Sequence, residues 1–183
     1  PVADVKYDGI VGIDFGTKST IVAFQNGNDK TRLMRIGSGN FNKEIKPEDY
    51  ENPTVCEFIN INEFTQRYQA DKGRPFTKWE DLTVSHTARE SLFSTARDNS
   101  QYYSFFSDIK QWCSSKDRTI IIKDKNEQEI ELAPFVSLND NDFNPVEIYA
   151  YYLGLYINNM YNGIYIDYRL SFPVTYEKEI RKK

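Results

Sequence analysis

Between two apolar, β-branched runs, Val11 to Ile13 and Thr20 to Phe24, the chain sets an acid, a glycine, a lysine and two hydroxyls: Asp14, Gly16, Thr17, Lys18 and Ser19. A carboxylate at the end of an apolar strand is costly to bury unless it is paired, hydrogen-bonded or near a cation, so Asp14 calls for a metal ion, a lysine or water. Gly16 lacks a Cβ, which lets the backbone approach a ligand closely or take a positive φ, and a tight turn aims successive N–H groups at one point. Such donors suit phosphate oxygens. Lys18 adds a positive charge that can face a phosphate. Asp14 offers one carboxylate to a hydrated Mg²⁺, an ion that keeps several waters and uses only one or two carboxylates. The same residues also satisfy a plain hairpin, with Gly16 permitting the turn, Asp14 accepting backbone N–H groups and Lys18 in water. The pattern is neither Gly-x-x-x-x-Gly-Lys nor Gly-x-Gly-x-x-Gly, both of which open helices, so a nucleotide site here needs a strand, a turn and a second strand.

Local signals define the elements that must hold this turn. The two runs around it read as a hairpin, and Asn26-Gly27-Asn28 marks a second turn before Thr31 to Ile36, which predicts an antiparallel three-strand meander. Gly37 to Glu51 is polar and carries the chain from one lobe to another, and Pro53 leads into a strand-like stretch, Thr54 to Ile61. Asn62 to Ser115 mixes polar and aromatic residues, with helical signals over Thr87 to Arg97 and Tyr102 to Trp112. Thr119 to Lys123 and Glu129 to Ala133 predict a second hairpin. Asn144 can cap a helix that has Pro145 at its first position and Glu147 placed to reach back as in a capping box. Ile148, Tyr151, Tyr152 and Leu155 then recur at helical spacing to face a sheet, and Asn162-Gly163 supplies the stop. Ile164 to Phe172 follows as a strand that can run parallel to an earlier one after the crossover. Thr175 to Lys183 reads as the start of a polar helix capped by Thr175, and an unfinished helix after a core strand predicts that the chain is a piece of something longer.

Composition narrows the function classes. A net charge of −4 with no cluster of five or six Lys and Arg argues against a nucleic-acid partner. Cys56 and Cys113 stand far apart with no Cys-x-x-Cys pair, so they are expected reduced and buried rather than on zinc. No long apolar run predicts a membrane span and no basic-then-apolar start predicts a secretory signal, which makes the cytoplasm the expected location. His86 is the only histidine, which excludes a mechanism needing two, and it is assigned no role. Thirteen Tyr and twelve Phe predict a bulky core, and Tyr149, Tyr151, Tyr152 and Tyr156 are read as packing rather than as a base-stacking platform.

Gly12-Ile13-Asp14-Phe15-Gly16-Thr17-Lys18-Ser19 resembles the first phosphate motif of the actin, sugar kinase and heat-shock ATPase superfamily. Asn52-Pro53-Thr54-Val55 with Phe58 is loosely similar to the threonine-proline-serine strand of the seventy-kilodalton heat-shock (DnaK-type) chaperones. The helix opening at Asn144-Pro145-Val146-Glu147-Ile148 and the segment Leu170 to Tyr176 resemble that family's proline-glutamate helix and its valine-proline-alanine-tyrosine segment. Arg181 falls eight residues after Pro173, the separation of the proline and arginine by which the family relays nucleotide state. Val84-Ser85-His86-Thr87-Ala88-Arg89 looks like the valine-glycine-aspartate-alanine-alanine-lysine segment that carries the family's catalytic lysine, which puts Arg89 at that lysine's position.

The resemblance implies an α/β fold: a ribonuclease-H-like (actin-like ATPase) lobe with a mixed sheet from residues 1–40 and 140–183, and a peripheral subdomain inserted at 41–139. It implies ATP or ADP and Mg²⁺ as cofactors, with Asp14 holding Mg²⁺ through water, Gly16, Thr17 and Lys18 touching the β- and γ-phosphates of ATP, and Thr17 near the attacking water. Lys18 stands where the chaperones usually have a second threonine, and Arg89 keeps a lysine's charge but not its geometry. Implied partners are the nucleotide, the remaining lobe and substrate domain of a parent protein, client polypeptides and co-chaperones. The family's second phosphate loop, further catalytic acids and adenosine pocket follow the stretch matched here, so this chain alone is expected to bind nucleotide weakly or not at all. An actin-like structural or segregation ATPase, a small-molecule kinase of the same superfamily, and a degenerate non-catalytic binding module are the alternatives.

Overall fold

From Gly9 to Asp14 and from Ser19 to Phe24 more covered and less covered residues alternate, and these two runs form the middle of the main sheet. In chain order the elements are β1 (Val5–Asp14), β2 (Ser19–Asn26), β3 (Arg32–Met34), β4 (Asn52–Pro53), β5 (Cys56–Phe58), α1 (Ile61–Ala70), β6 (Leu82–Val84), α2 (Ser85–Ser94), β7 (Phe105–Phe106), α3 (Ile109–Cys113), β8 (Ile120–Lys123), β9 (Glu129–Leu132), α4 (Pro145–Met160), β10 (Ile164–Ser171) and α5 (Lys178–Lys182). The structure, a computed structural model, describes residues 4–37, 42–70, 77–97, 99–160, 163–171, 173 and 176–182.

The largest sheet has the order β10-β1-β2-β3, with β4 pairing the start of β2. β1, β2 and β3 are antiparallel, as the turn signals predict, and β10 runs parallel to β1, its register bringing Asp14 opposite Ser171. The sheet is therefore mixed. Val11, Ile13, Val22, Phe24 and Met34 are buried on one face and join Ile148, Tyr149, Tyr152, Leu153 and Ile157 of α4 in one core cluster. The other face is open among the described residues, with Ile10 43% and Leu33 47% exposed. α4 buries more than the single face that sequence spacing predicts, because it touches α3 and β6 as well as β10. That core cluster also takes in Phe58, Ile61, Leu82, Ile109, Trp112 and Leu132 from between residues 41 and 139.

Several elements depart from the sequence reading, each through a distant partner. Thr54 to Ile61 is not one strand: β4 and β5 are short, and Ile61 starts α1 because Asp124 Oδ2, from the far hairpin, accepts its N–H at 2.9 Å. Tyr102 to Trp112 is not one helix, since Phe105 and Phe106 pair with β5 and leave a 3₁₀ turn before them and α3 after. Asn144 Oδ1 caps α4 by accepting from the N–H of Val146 at 3.1 Å. The Glu147 carboxylate takes the Tyr68 hydroxyl at 2.6 Å, so a side chain 79 residues away occupies the group predicted to close the capping box. The predicted roles of Asn162, Phe172, Val174 and Thr175 lie outside the described residues. Cys56 and Cys113 are both buried and unbridged, and burial pushes both thiols up, Cys113 to about 11. Among the described residues no helix is long and apolar enough to cross a membrane.

Candidate functional site

The turn between β1 and β2 is held by its carbonyls. Phe15 O accepts from Lys110 Nζ at 2.5 Å, Gly16 O from Thr54 Oγ1 at 3.0 Å, and Lys18 O from the Thr54 N–H at 3.0 Å. In a trans peptide the C=O and the following N–H point in opposite directions. Tying these three carbonyls toward Lys110 and Thr54 therefore turns the N–H groups of Gly16, Thr17 and Ser19 the other way. Those of Gly16 and Thr17 meet no acceptor among the described residues. A row of outward N–H groups on a bent backbone is an anion-binding concavity. Gly16 is required here, since a Cβ on it would lie 2.0 Å from Ser19 O, a backbone atom that cannot swing aside.

A buried polar layer fixes this arrangement. Thr54 uses its one hydroxyl proton on Gly16 O, so in the 2.9 Å contact between Thr20 and Thr54 it is Thr20 that donates. The Tyr149 hydroxyl donates to Pro53 O at 3.2 Å, and the Asn52 side chain bridges Met34 O and the Ile36 N–H. Asn52, Thr54 and Thr20 are each no more than 2% exposed. At that depth each lost partner leaves a polar group unpaired, at about 1–3 kcal/mol apiece, so the Asn52-Pro53-Thr54 segment is a rigid backing plate for the turn. Its role as a support follows from pairing with β2, a contact that the resemblance noted for this segment does not itself specify.

Asp14, the last residue of β1, is exposed and accepts the Ser171 hydroxyl on Oδ1 at 2.5 Å. Ser171 was not singled out from sequence; the parallel register of β1 and β10 is what brings it there. Both sit at a depression of about 320 Å³ on the open face of the sheet, lined also by Gly12, Ile21, Ala23 and Arg169. A carboxylate beside outward N–H groups repels an approaching phosphate unless a cation lies between them. One exposed carboxylate with a hydroxyl partner fits a largely hydrated Mg²⁺. Among the described residues no group of three His, Cys, Asp or Glu gathers to make a tighter cage.

The other sequence candidates are placed as follows. Thr17 and Lys18 are exposed at the turn. Arg89 Nη2 donates to His86 Nδ1 at 3.1 Å, and because an arginine only donates, His86 carries its proton on Nε2 and gives it to Asp49 O at 2.7 Å. The cation that the structure ties to the turn is thus Lys110, which sequence reading passed over inside a stretch, Tyr102 to Trp112, read only for its helical signal. Pro173 is half-buried, and its carbonyl takes the Tyr176 N–H at 3.1 Å; Arg181 is exposed on α5. The Tyr176 hydroxyl in turn donates to Lys110 O at 3.3 Å.

A larger cavity, about 550 Å³, lies between α1 and the start of α4. Most of its polar groups are committed, Tyr68 to Glu147, Gln69 to Asn141 O, Asp142 to Asn139 and Asn144 to the α4 cap, while the buried Thr65 hydroxyl on its wall has no partner among the described residues. The turn, smaller but with uncommitted donors and an exposed acid, is the better chemical site. Comparison with protein-family models gives no match for this chain, and comparison with curated proteins gives none either.

Proposed function

We propose that the chain is the N-terminal part of an ATP-binding domain of the heat-shock seventy-kilodalton type, within the actin-like ATPase superfamily, with a ribonuclease-H-like core lobe. The observation that carries the reading is the turn whose carbonyls are tied back onto Lys110 and Thr54, leaving the Gly16 and Thr17 N–H groups facing outward just after the exposed Asp14 in the chain. The mixed sheet, with an antiparallel meander and a parallel strand entering after α4, supports a ribonuclease-H-like lobe. Ser85 supports the family more narrowly. It stands at the glycine position of the lysine-bearing segment and has φ 59°, a conformation that favours glycine.

In this reading Gly16, Thr17 and Lys18 bind the β- and γ-phosphates, and Asp14 holds Mg²⁺ through water with Ser171 fixing the carboxylate. The Mg²⁺ supplies charge neutralisation at the phosphates. Thr17 would sit near the attacking water. Pro173 and Arg181 pass the state of the site to a partner domain that handles client polypeptides. In the parent ATPase, Asp14→Asn is expected to lower ATP turnover by about a hundredfold with the melting temperature unchanged, because Asp14 is exposed. Equal turnover by the two proteins would falsify the metal role.

Arg89 favours a second reading, a binding module that keeps the nucleotide and has lost hydrolysis, because its guanidinium is engaged with His86. Nucleotide binding without turnover, and turnover gained by Arg89→Lys, distinguishes this from the first.

A further inference from the structure

We infer that Lys110 is a positioning residue for the anion site: by holding the Phe15 carbonyl it sets the direction of the Gly16 N–H. The inference rests on the reading of the turn as a phosphate site. Three cations stand as candidates to serve that turn, and the structure separates them. Lys18 is exposed and Arg89 is bonded to His86. Lys110 alone of the three reaches across 95 residues to the turn, with Nζ 2.5 Å from Phe15 O and 5.8 Å from the centre of the Phe15 ring.

Its own base is firm. Lys110 projects from α3, whose Ile109 and Trp112 are fully buried and whose Cys113 is 5% exposed. Tyr176 also grips α3 at the Lys110 carbonyl. The Lys110 side chain also lies over the Phe15 ring face, and its positive end adds to the field felt by an anion at the outward amides. Phe15 O and Gly16 N belong to one rigid peptide plane, so releasing the carbonyl frees that plane to rotate. The first N–H of the concavity then loses its fixed aim. Thr54 keeps the next peptide in place, which is why the loss is partial rather than complete.

The test titrates the ¹⁵N-labelled chain with magnesium tripolyphosphate, following backbone amides, for wild type, Lys110→Met, Lys110→Arg and Lys18→Met. Lys110→Met is expected to shift the Gly16 amide before any anion is added and to weaken tripolyphosphate binding about tenfold, a step of one decade in Kd. Lys110→Arg keeps a long cationic donor and recovers binding to within about threefold of wild type. Unchanged Gly16 signal and unchanged affinity in Lys110→Met would overturn the inference. So would a loss in Lys110→Met that arginine fails to recover while both variants melt as the wild type does. If the wild type itself shows no anion-dependent movement at Gly16 and Thr17, the phosphate reading fails first and the inference falls with it.

Discussion

Two of the polar turns that join antiparallel strands in this protein use similar residues in opposite senses. At residues 124–128, between β8 and β9, Asp124 is 2% exposed and points inward. Its Oδ1 accepts from the N–H groups of Asn126 and Gln128 at 2.8 and 2.9 Å, and its Oδ2 caps α1 at Ile61. The acid there satisfies the amides. At residues 14–18 the acid points outward, the carbonyls of Phe15, Gly16 and Lys18 are tied down, and the Gly16 and Thr17 amides meet no acceptor among the described residues. Each turn contains an aspartate and a lysine, so composition does not separate them. What separates them is which half of each peptide the rest of the fold holds: a turn closed on its amides is structural, and one closed on its carbonyls is an anion receptor.

Substitutions can break this contrast from either side. The largest effect is expected from Asp124→Ala, which strips three N–H groups of a buried charged acceptor and should cost about 4 kcal/mol of stability. Chemical unfolding measures it, and the surviving folded fraction should bind anion as wild type does. Thr54→Val should cost about 2 kcal/mol, because it leaves Gly16 O without its donor and Thr20 without its acceptor. Unlike Asp124→Ala, it should also weaken anion binding. A Thr54 variant that unfolds more easily yet binds equally well would place Thr54 beside Asp124 as a purely structural residue.

The smallest effect belongs to neither turn. Burial, with the nearby Arg89 and Arg35 charges, holds His86 below its usual 6.5 against the opposing Asp49 carbonyl. The unfolded chain therefore protonates first as pH falls, so the neutral histidine contributes fully above about 6.5 and its contribution fades as pH drops toward the folded value. Melting curves across this range should slope downward on acidification for wild type and lose that component in His86→Gln.

Much of the main sheet is legible in sequence, because alternation in Val11, Ile13, Val22 and Phe24 and the Asn144-Pro145 helix start are local signals. The turn is legible for the same reason: Gly16 and its neighbours act within a few residues of one another. What escapes is everything delivered from a distance. Ser171 reaches Asp14 across 157 residues, Lys110 reaches Phe15 across 95, and Asp124 caps α1 from 63 residues away. None of these partners carries a pattern of its own; each is fixed only once strands pair and helices pack. His86, given no role from sequence, gains one through its contacts with Asp49 and Arg89.

The most direct test of the central claim compares the two turns in a single spectrum, titrating the ¹⁵N-labelled chain with magnesium tripolyphosphate up to concentrations that reveal weak binding. The account predicts that the amides of Gly16, Thr17 and Ser19 move with the added anion while those of Asn126 and Gln128 stay still. Amides at 16–19 that remain fixed, or that move no more than those at 126 and 128, would contradict it.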